Sequence, residues 1–217
     1  MSPIKNITKK TIILPDLAFE NAIDGPVFGV DEVGRGPLAG PVMAGAALLN
    51  KEDIPVGIND SKKLTFRRRQ LLSDQLHEHA VYATALVDVA DIDRINIRQA
   101  SLLAMKRAVK ALITKTGIKP ACILVDGCDL PDWPWPSQTI IGGDRLSLSI
   151  AAASVLAKVE RDHLMIEESQ RWPGYGWEHN MGYGTKQHRD AIWTLGPTPL
   201  HRCSFSPIRD YLEQKSR

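Results

Sequence analysis

Cysteine is scarce in this 217-residue chain: Cys122, Cys128 and Cys203 are the only three. They are too few and too irregularly spaced for a disulfide framework or a zinc site. They read as buried or incidental thiols of a reducing compartment, which makes the cytoplasm the expected location. Long hydrophobic runs are also missing, so no membrane-spanning helix is expected. Lys5, Lys9 and Lys10 precede a TIIL stretch that is too brief for a secretory apolar region. Charge of one sign is not in excess either: 27 Lys and Arg against 25 Asp and Glu leave a net +2. A site for a polyanion must therefore come from local clusters. The chain has no internal repeat and no low-complexity segment. Its 43% hydrophobic content supplies a core for one compact domain with a small appendage.

What the chain does have is the stretch FGVDEVGRGPLAGPV, from Phe28 to Val42. Val27, Phe28 and Val30 form an apolar lead-in that reads as a buried strand. It runs into Asp31 and Glu32, and a turn rich in glycine and proline follows at once. The stretch from Val42 to Leu49 reads as a second strand. Two charges at the end of a buried strand are costly unless something positive neutralises them. A divalent cation suits that role, because hard oxygen ligands select magnesium, manganese or calcium. Neighbouring strand residues point to opposite faces, so both acids can approach one centre only if the strand ends or bends there. Alone, the pair has a second reading: Glu32 as a solvated strand-end charge beside glycines that merely turn a hairpin. GRGPLAG lacks the lysine and hydroxyl of a Walker A loop and the dinucleotide spacing, which excludes that kind of phosphate cradle.

Residues 1–26 lack periodicity and read as a loose lead-in. Thr65 is placed to cap a helix with apolar positions Phe66, Leu71, Leu72 and Leu76. VYATALVDV, residues 81–89, has strand character. A long helix is expected over about 93–114, stopped at Gly117. CILVDG, residues 122–127, reads as a short buried strand ending in Asp126. DLPDWPWPSQ reads as a proline-broken loop, and GGDRLSLS as a polar turn that carries Asp144 and launches a helix over about 147–169. An aromatic, glycine-rich loop over 172–183 precedes the last helices. This order predicts an α/β fold with a mixed sheet flanked by helices. The first three strands are expected to be antiparallel, with the strand ending in Asp126 parallel to the first.

Asp31, Glu32, Asp126 and Asp144 thus share a context, each at an apolar strand end or in a turn beside a helix start. With the words around them, the chain closely resembles the bacterial ribonuclease HII family. The matching stretches are GVDEVGRGPLAGPV, NDSKKL, INIRQASLLAM, LVDG, GGDRLSLSIAAASVLAKVERD, GYGT with a later His188, and HRCSF. They span about residues 29–207. The resemblance implies a ribonuclease H-like catalytic domain over 27–184, preceded by the 1–26 lead-in and followed by a helical segment over 185–217. It also implies a monomeric endoribonuclease, without membrane association, that hydrolyses the RNA strand of RNA–DNA hybrids. Single ribonucleotides embedded in duplex DNA are implied substrates too, cut to leave a 3′-hydroxyl and a 5′-phosphate.

Carried over by position, Asp31, Glu32, Asp126 and Asp144 are the catalytic acids and hold two divalent ions, Mn2+ or Mg2+, with Asp31 bridging them. Gly34, Arg35 and Gly36 match the turn that meets the minor groove at the RNA–DNA junction, where glycine lets backbone amides come close to a sugar. The 2′-hydroxyl is what separates RNA from DNA there. Tyr183 matches a tyrosine that stacks near the ribonucleotide sugar. Ser61, Lys62 and Lys63 match a phosphate-contacting word, and Ser154 and Lys158 match positions that support substrate or acids.

Arg67, Arg68 and Arg69 have no such match and read as a solvated helix face. Asp162 reads as an ion-pair partner. His188 and His201 read as structural or phosphate-contacting groups, and the tryptophans as covers of a core edge. Two positions depart from the family pattern: Met181 stands where lysine is usual, and Cys203 where a second basic residue is common. A non-catalytic binding module and a different two-metal nuclease are the competing readings. The first would need a lost acid, and the second is opposed by the ribose-directed turn and Tyr183.

Overall fold

The computed structural model describes residues 14–216. The strands are β1 (Val27–Val33), β2 (Val42–Leu49), β3 (Ala80–Val87), β4 (Cys122–Asp126) and β5 (Ser137–Ile140). They form one sheet in the order β3-β2-β1-β4-β5. β1, β2 and β3 pair antiparallel as expected, although α2 stands between β2 and β3 in the chain. β4 lies parallel to β1, with Val30 opposite Val125, so Asp31 and Asp126 follow directly on adjacent strands. β5 adds a parallel edge beyond β4. It lies partly inside the stretch read as a loop: SQTI is too short and too polar to show a strand period.

Helices cover both faces. α1 (Ala18–Asn21) precedes the sheet, and α2 (Phe66–His79) follows β2. Thr65 caps α2, its hydroxyl accepting from the Arg68 amide. The helix expected over 93–114 is in fact two, α3 (Val89–Ile95) and α4 (Ile97–Thr116). Asn96, at φ 66°, breaks the run, and its side chain accepts from the Gln99 amide to start α4. Asparagine suits both roles, since its short polar side chain tolerates left-handed backbone and caps helices. Gly117 stops α4 at φ 69° as expected. A 3-10 turn, Gly143–Arg145, precedes α5 (Leu148–Arg171), for which Ser147 is the cap. The loop expected over 172–183 contains a short helix, α6 (Trp177–Asn180). α7 (Lys186–Leu195) and α8 (Ile208–Lys215) close the fold.

Strand alternation assigns each layer its core. Phe28 and Val30 of β1 join Val42, Ala44 and Ala46 of β2 against Ala104, Ala108, Val109 and Leu112 of α4. On the other face α5 lies almost on the sheet. A Cβ on Gly29 would fall 2.1 Å from the Ser149 backbone, and one on Gly45 would fall 2.5 Å from the Ala153 carbonyl oxygen. Only glycine permits that approach, and it sets α5 directly behind the strand that carries Asp31. α7 and α8 contribute Ala191, Ile192 and Ile208 to a separate cluster with Leu38, Met165, Tyr175 and Trp177. Trp133 and Trp135 pack against the edge of the α4-side core.

Candidate active site

The four acids stand on three supports: the second half of β1, the end of β4 and the 3-10 turn. The Gly143 amide donates to Asp126 Oδ1 at 2.7 Å, tying the turn that bears Asp144 to the end of β4. β1 does not end at the acids. It continues to Val33, with Asp31 opposite Gly45 and Glu32 opposite Ala44. Asp31 therefore faces α5, near Ser154. Glu32 lines a cavity of about 110 Å³ with Arg98, Ser101 and Met105 of α4, together with Arg35 and Asp126.

The acids are electrically coupled. Burial raises the Asp31 carboxyl well above its ordinary range; Glu32 and Asp126 push it further, while the Ser154 hydroxyl and Lys62 oppose. Glu32 is raised by burial against the pull of Arg35. Asp144 is pushed up to about 6, first by burial, then by Asp60 and Asp126. Lys62 goes the other way: burial alone would lower it, but Asp31, Asp144 and Asp60 outweigh that and raise it. Asp31, Glu32, Asp60, Asp126 and Asp144 outnumber the nearby cations Lys62, Arg35 and Arg145, so the site is short of positive charge.

Each acid is turned to a donor of its own. Asp31 Oδ1 accepts from the Glu32 amide at 2.7 Å, and Glu32 accepts from Arg35 at 3.3 Å. Arg145 stands 3.8 Å from Asp144. Among the described residues, no three His, Cys, Asp or Glu side chains converge on one point as metal ligands. The donor set itself, all oxygen and anionic, is the kind that hard divalent cations select.

The residues expected to meet substrate surround this cluster. Ser61 Oγ and Ser154 Oγ are 2.9 Å apart and buried, and Lys62 and Lys63 are exposed beside them. A Cβ built on Gly36 would lie 3.6 Å from Tyr183 Cε1, so the glycine turn and the tyrosine face each other. Lys158 does not point to the acids. Its Nζ donates to Asp162 at 2.6 Å, and Arg69 meets the other oxygen of Asp162 at 3.0 Å. Arg69 thus departs from the solvated face expected of it, whereas Arg67 and Arg68 are exposed. It also donates to the Ser61 and Leu64 carbonyls, holding the turn that carries Lys62. Asp162 is the ion-pair partner expected.

His188 and His201 are structural. The Thr198 amide donates to His201 Nδ1 at 2.8 Å, His188 and His201 meet Nε2 to Nε2 at 3.1 Å, and His188 Nδ1 lies 3.0 Å from the Tyr183 carbonyl. Burial lowers both, His201 to about 4, so this pair is neutral near pH 7. Met181, in place of the usual lysine, has φ 51° and packs its side chain into the α7–α8 cluster. Cys203 is exposed, and its amide donates to Asp93.

Three features were not anticipated. Asp60, inside the NDSKKL word, is buried and adds a fifth acid to the cluster, raising Asp144. Arg161 and Arg202 are fully buried guanidiniums that hold the glycine turn from beneath. Arg161 donates to the carbonyls of Pro41, Ala39 and Met181, and Arg202 to those of Gly34, Arg35 and Gly40. Neither arginine has a sequence signal: Arg161 lies among acids in VERDH and Arg202 in LHRCS, and their carbonyl partners lie elsewhere in the chain.

Comparison with known proteins gives the family. The model described as Ribonuclease HII matches residues 28–208. A Ribonuclease HII from Zymomonas mobilis is 71% identical over 206 residues, covering 95% of each chain. The ribonuclease H2 of Pyrococcus horikoshii has a similar fold, with a TM-score of 0.71 at 24% identity, covering 89% of this chain and 100% of that one. Bst-RNase HIII in complex with Mn2+ is similar too, with a TM-score of 0.73 at 21% identity, covering 88% and 71%. No helix among the described residues is long and apolar enough to cross a membrane. The chain belongs to the ribonuclease HII family, endoribonucleases acting on RNA–DNA hybrids.

Proposed function

We propose that Asp31, Glu32, Asp126 and Asp144 hold two divalent ions, Mg2+ or Mn2+, and that the enzyme also cuts 5′ of single ribonucleotides embedded in duplex DNA. The products carry 3′-hydroxyl and 5′-phosphate ends. One observation carries the reading: the parallel β1–β4 register sets Asp31 beside Asp126, and the Gly143–Asp126 bond brings Asp144 to the same buried, cation-poor cluster. Held by these four carboxylates, such ions would supply water activation and charge stabilisation at the leaving oxygen.

The chain's own residues do the rest. In the Gly34–Arg35–Gly36 turn, buried Gly34 sets the bend and exposed Arg35 and Gly36 present backbone to the ribose, where the 2′-hydroxyl is read. Tyr183, 40% exposed, stacks against that sugar from across the turn. Lys62 and Lys63 meet phosphates, with Ser61 and Ser154 fixing their turn and Lys158 supporting it through Asp162 and Arg69. Three free cysteines suit a reducing, cytoplasmic setting, and the enzyme is taken to act as a monomer.

The test is a DNA duplex with one embedded ribonucleotide, incubated with Mg2+ or Mn2+ and with EDTA as control. One metal-dependent cut on the 5′ side of the ribonucleotide is expected. Asp31→Asn should abolish that cut while hybrid binding, measured by fluorescence anisotropy, stays near wild type. Turnover by Asp31→Asn would remove the assignment of Asp31, and cutting of long hybrids alone would remove the junction role of Gly34–Gly36 and Tyr183.

A further inference from the structure

We infer that Glu20, ahead of the family-matched stretch, is a positioning residue that fixes the Asp144 turn for cation binding; this rests on the four-acid reading above. Its carboxylate is 2% exposed. Oε1 accepts from Ser147 Oγ at 2.6 Å, from the Ser149 amide at 2.9 Å and from Ser149 Oγ at 2.7 Å. The main chain next to it grips the same place. The Asp16 amide donates to the Leu146 carbonyl, and the Leu148 amide donates to the Asp16 carbonyl, pairing Asp16 with Ser147. At its other end, the Glu20 carbonyl accepts from Lys51 Nζ at 2.8 Å, anchoring α1 to the loop after β2.

Ser147 lies three residues beyond Asp144, and its amide donates to the Gly143 carbonyl at 2.8 Å. The turn carrying Asp144 is therefore held from two sides, by Asp126 through the Gly143 amide and by Glu20 with Asp16 through Ser147 and its neighbours. Helix capping alone does not explain the acid. Ser147 already caps α5, its hydroxyl accepting from the Ile150 amide. Burying a carboxylate is costly, and Oε2 of Glu20 has no partner among the described residues. The positive end of a 24-residue helix offsets part of that cost. What the carboxylate adds is a fixed place for Ser147, and hence for the turn before it. The segment read from sequence as a loose lead-in is, from Asp16 onward, part of the support of the site.

The test is calorimetric titration with Mn2+, without nucleic acid, on the full chain. Glu20→Ala is expected to weaken Mn2+ binding about tenfold or more, the usual effect of removing an outer-layer support. Glu20→Gln, which keeps the Oε1 acceptor, should restore affinity to within about threefold of wild type. Leu112→Ala, a core change under the opposite face of the sheet, should lower Tm without moving Mn2+ affinity. If Glu20→Ala matches wild type, or if Leu112→Ala shifts affinity as much, the inference is overturned. Should Glu20→Ala fail to fold, Ser149→Ala decides: several-fold weaker binding supports the inference, and unchanged binding overturns it. Asp144→Asn separates the two levels. Unchanged Mn2+ binding in that variant removes the four-acid reading, whereas weakened binding there beside wild-type binding in Glu20→Ala removes only the role of Glu20.

Discussion

Arg202 Nη2 donates to the Gly34 carbonyl at 2.6 Å, joining the C-terminal segment to the first turn of the catalytic sheet. Its other donors take the Arg35 and Gly40 carbonyls, while Arg161 takes Ala39, Pro41 and Met181. Neither guanidinium forms an ion pair among the described residues. Burial, and then the presence of Arg161, push Arg202 down to about 9. Two buried cations would be a poor choice for stability alone, since buried charge without a counter-charge is costly. Their effect is to turn the carbonyls of the Gly34–Pro41 loop inward and fix its shape, which under the proposed ribose contact leaves little reordering on binding.

The first expected consequence concerns Arg202→Lys. An ammonium is a point donor and cannot reproduce the planar fork, so the loop loosens while the acids stay in place. Cleavage efficiency on an embedded ribonucleotide should fall about 10–100-fold, as small displacements of reacting groups do. Mn2+ affinity should remain at the wild-type value. Steady-state kinetics beside a Mn2+ titration measures both.

Gly34 and Gly36 separate stability from recognition. Gly34 has φ +93°, and a Cβ there would fall 2.2 Å from Arg161 Nε. Gly34→Ala is expected to lower Tm by several degrees, combining backbone strain of about 1–3 kcal/mol with displacement of the guanidinium. Gly36 is exposed, and a Cβ on it meets only Tyr183 at an ordinary 3.6 Å. Gly36→Ala should keep the wild-type Tm but lose junction cleavage, because the methyl group occupies the space between turn and tyrosine. Equal Tm losses in both variants would contradict this division.

The directions of the first four strands were legible from hydrophobic runs and the helical crossover before β4, and the parallel β1–β4 placement set Asp31 near Asp126. Asp31, Glu32 and Asp126 stood out as charges beside apolar strands, while Asp144, in a polar turn, joined them only through the family resemblance. Glu20, Asp60, Arg69, Arg161 and Arg202 were not legible. Glu20, Arg161 and Arg202 pair with hydroxyls, amides and carbonyls distant in sequence, Arg69 reaches Asp162 and Asp60 acts on Asp144, and a one-dimensional pattern carries no trace of such encounters. β5 escaped because four residues with two polar side chains show no usable period. Asn96 was the one missed boundary with a readable signal, an asparagine at a helix start.

The acid cluster sets a pH dependence with a definite sign. The Asp144 carboxyl moves from an ordinary 3.8 to about 6 on folding, so between those values the folded chain binds more protons than the unfolded one. Its stabilising contribution is complete below about pH 4 and is lost as pH rises through about 6. In EDTA, Asp144→Asn should therefore gain Tm relative to wild type across that window. Mn2+ competes with the same protons, so its affinity for the wild type should rise over the same range. Thermal melts with and without Mn2+ at matched pH give both slopes. A gap in EDTA that moves the other way would contradict the burial of a protonated Asp144.

Lys62 faces two charge environments, the acids Asp31, Asp144 and Asp60 behind it and the nucleic acid in front. If its main partner in the complex is a phosphate, Lys62→Ala should weaken hybrid binding and make the salt dependence shallower by about one counterion. If it serves mainly to neutralise the acids, Lys62→Ala should leave the salt slope unchanged and strengthen Mn2+ binding, because one competing cation is gone. The exposed position of Lys62 favours the first outcome. The bond between the Lys62 amide and Asp60 Oδ1, at 2.9 Å, keeps the backbone fixed when the side chain is cut. Anisotropy titrations of an RNA–DNA hybrid at several salt concentrations, in Ca2+ to prevent turnover, read the slope directly.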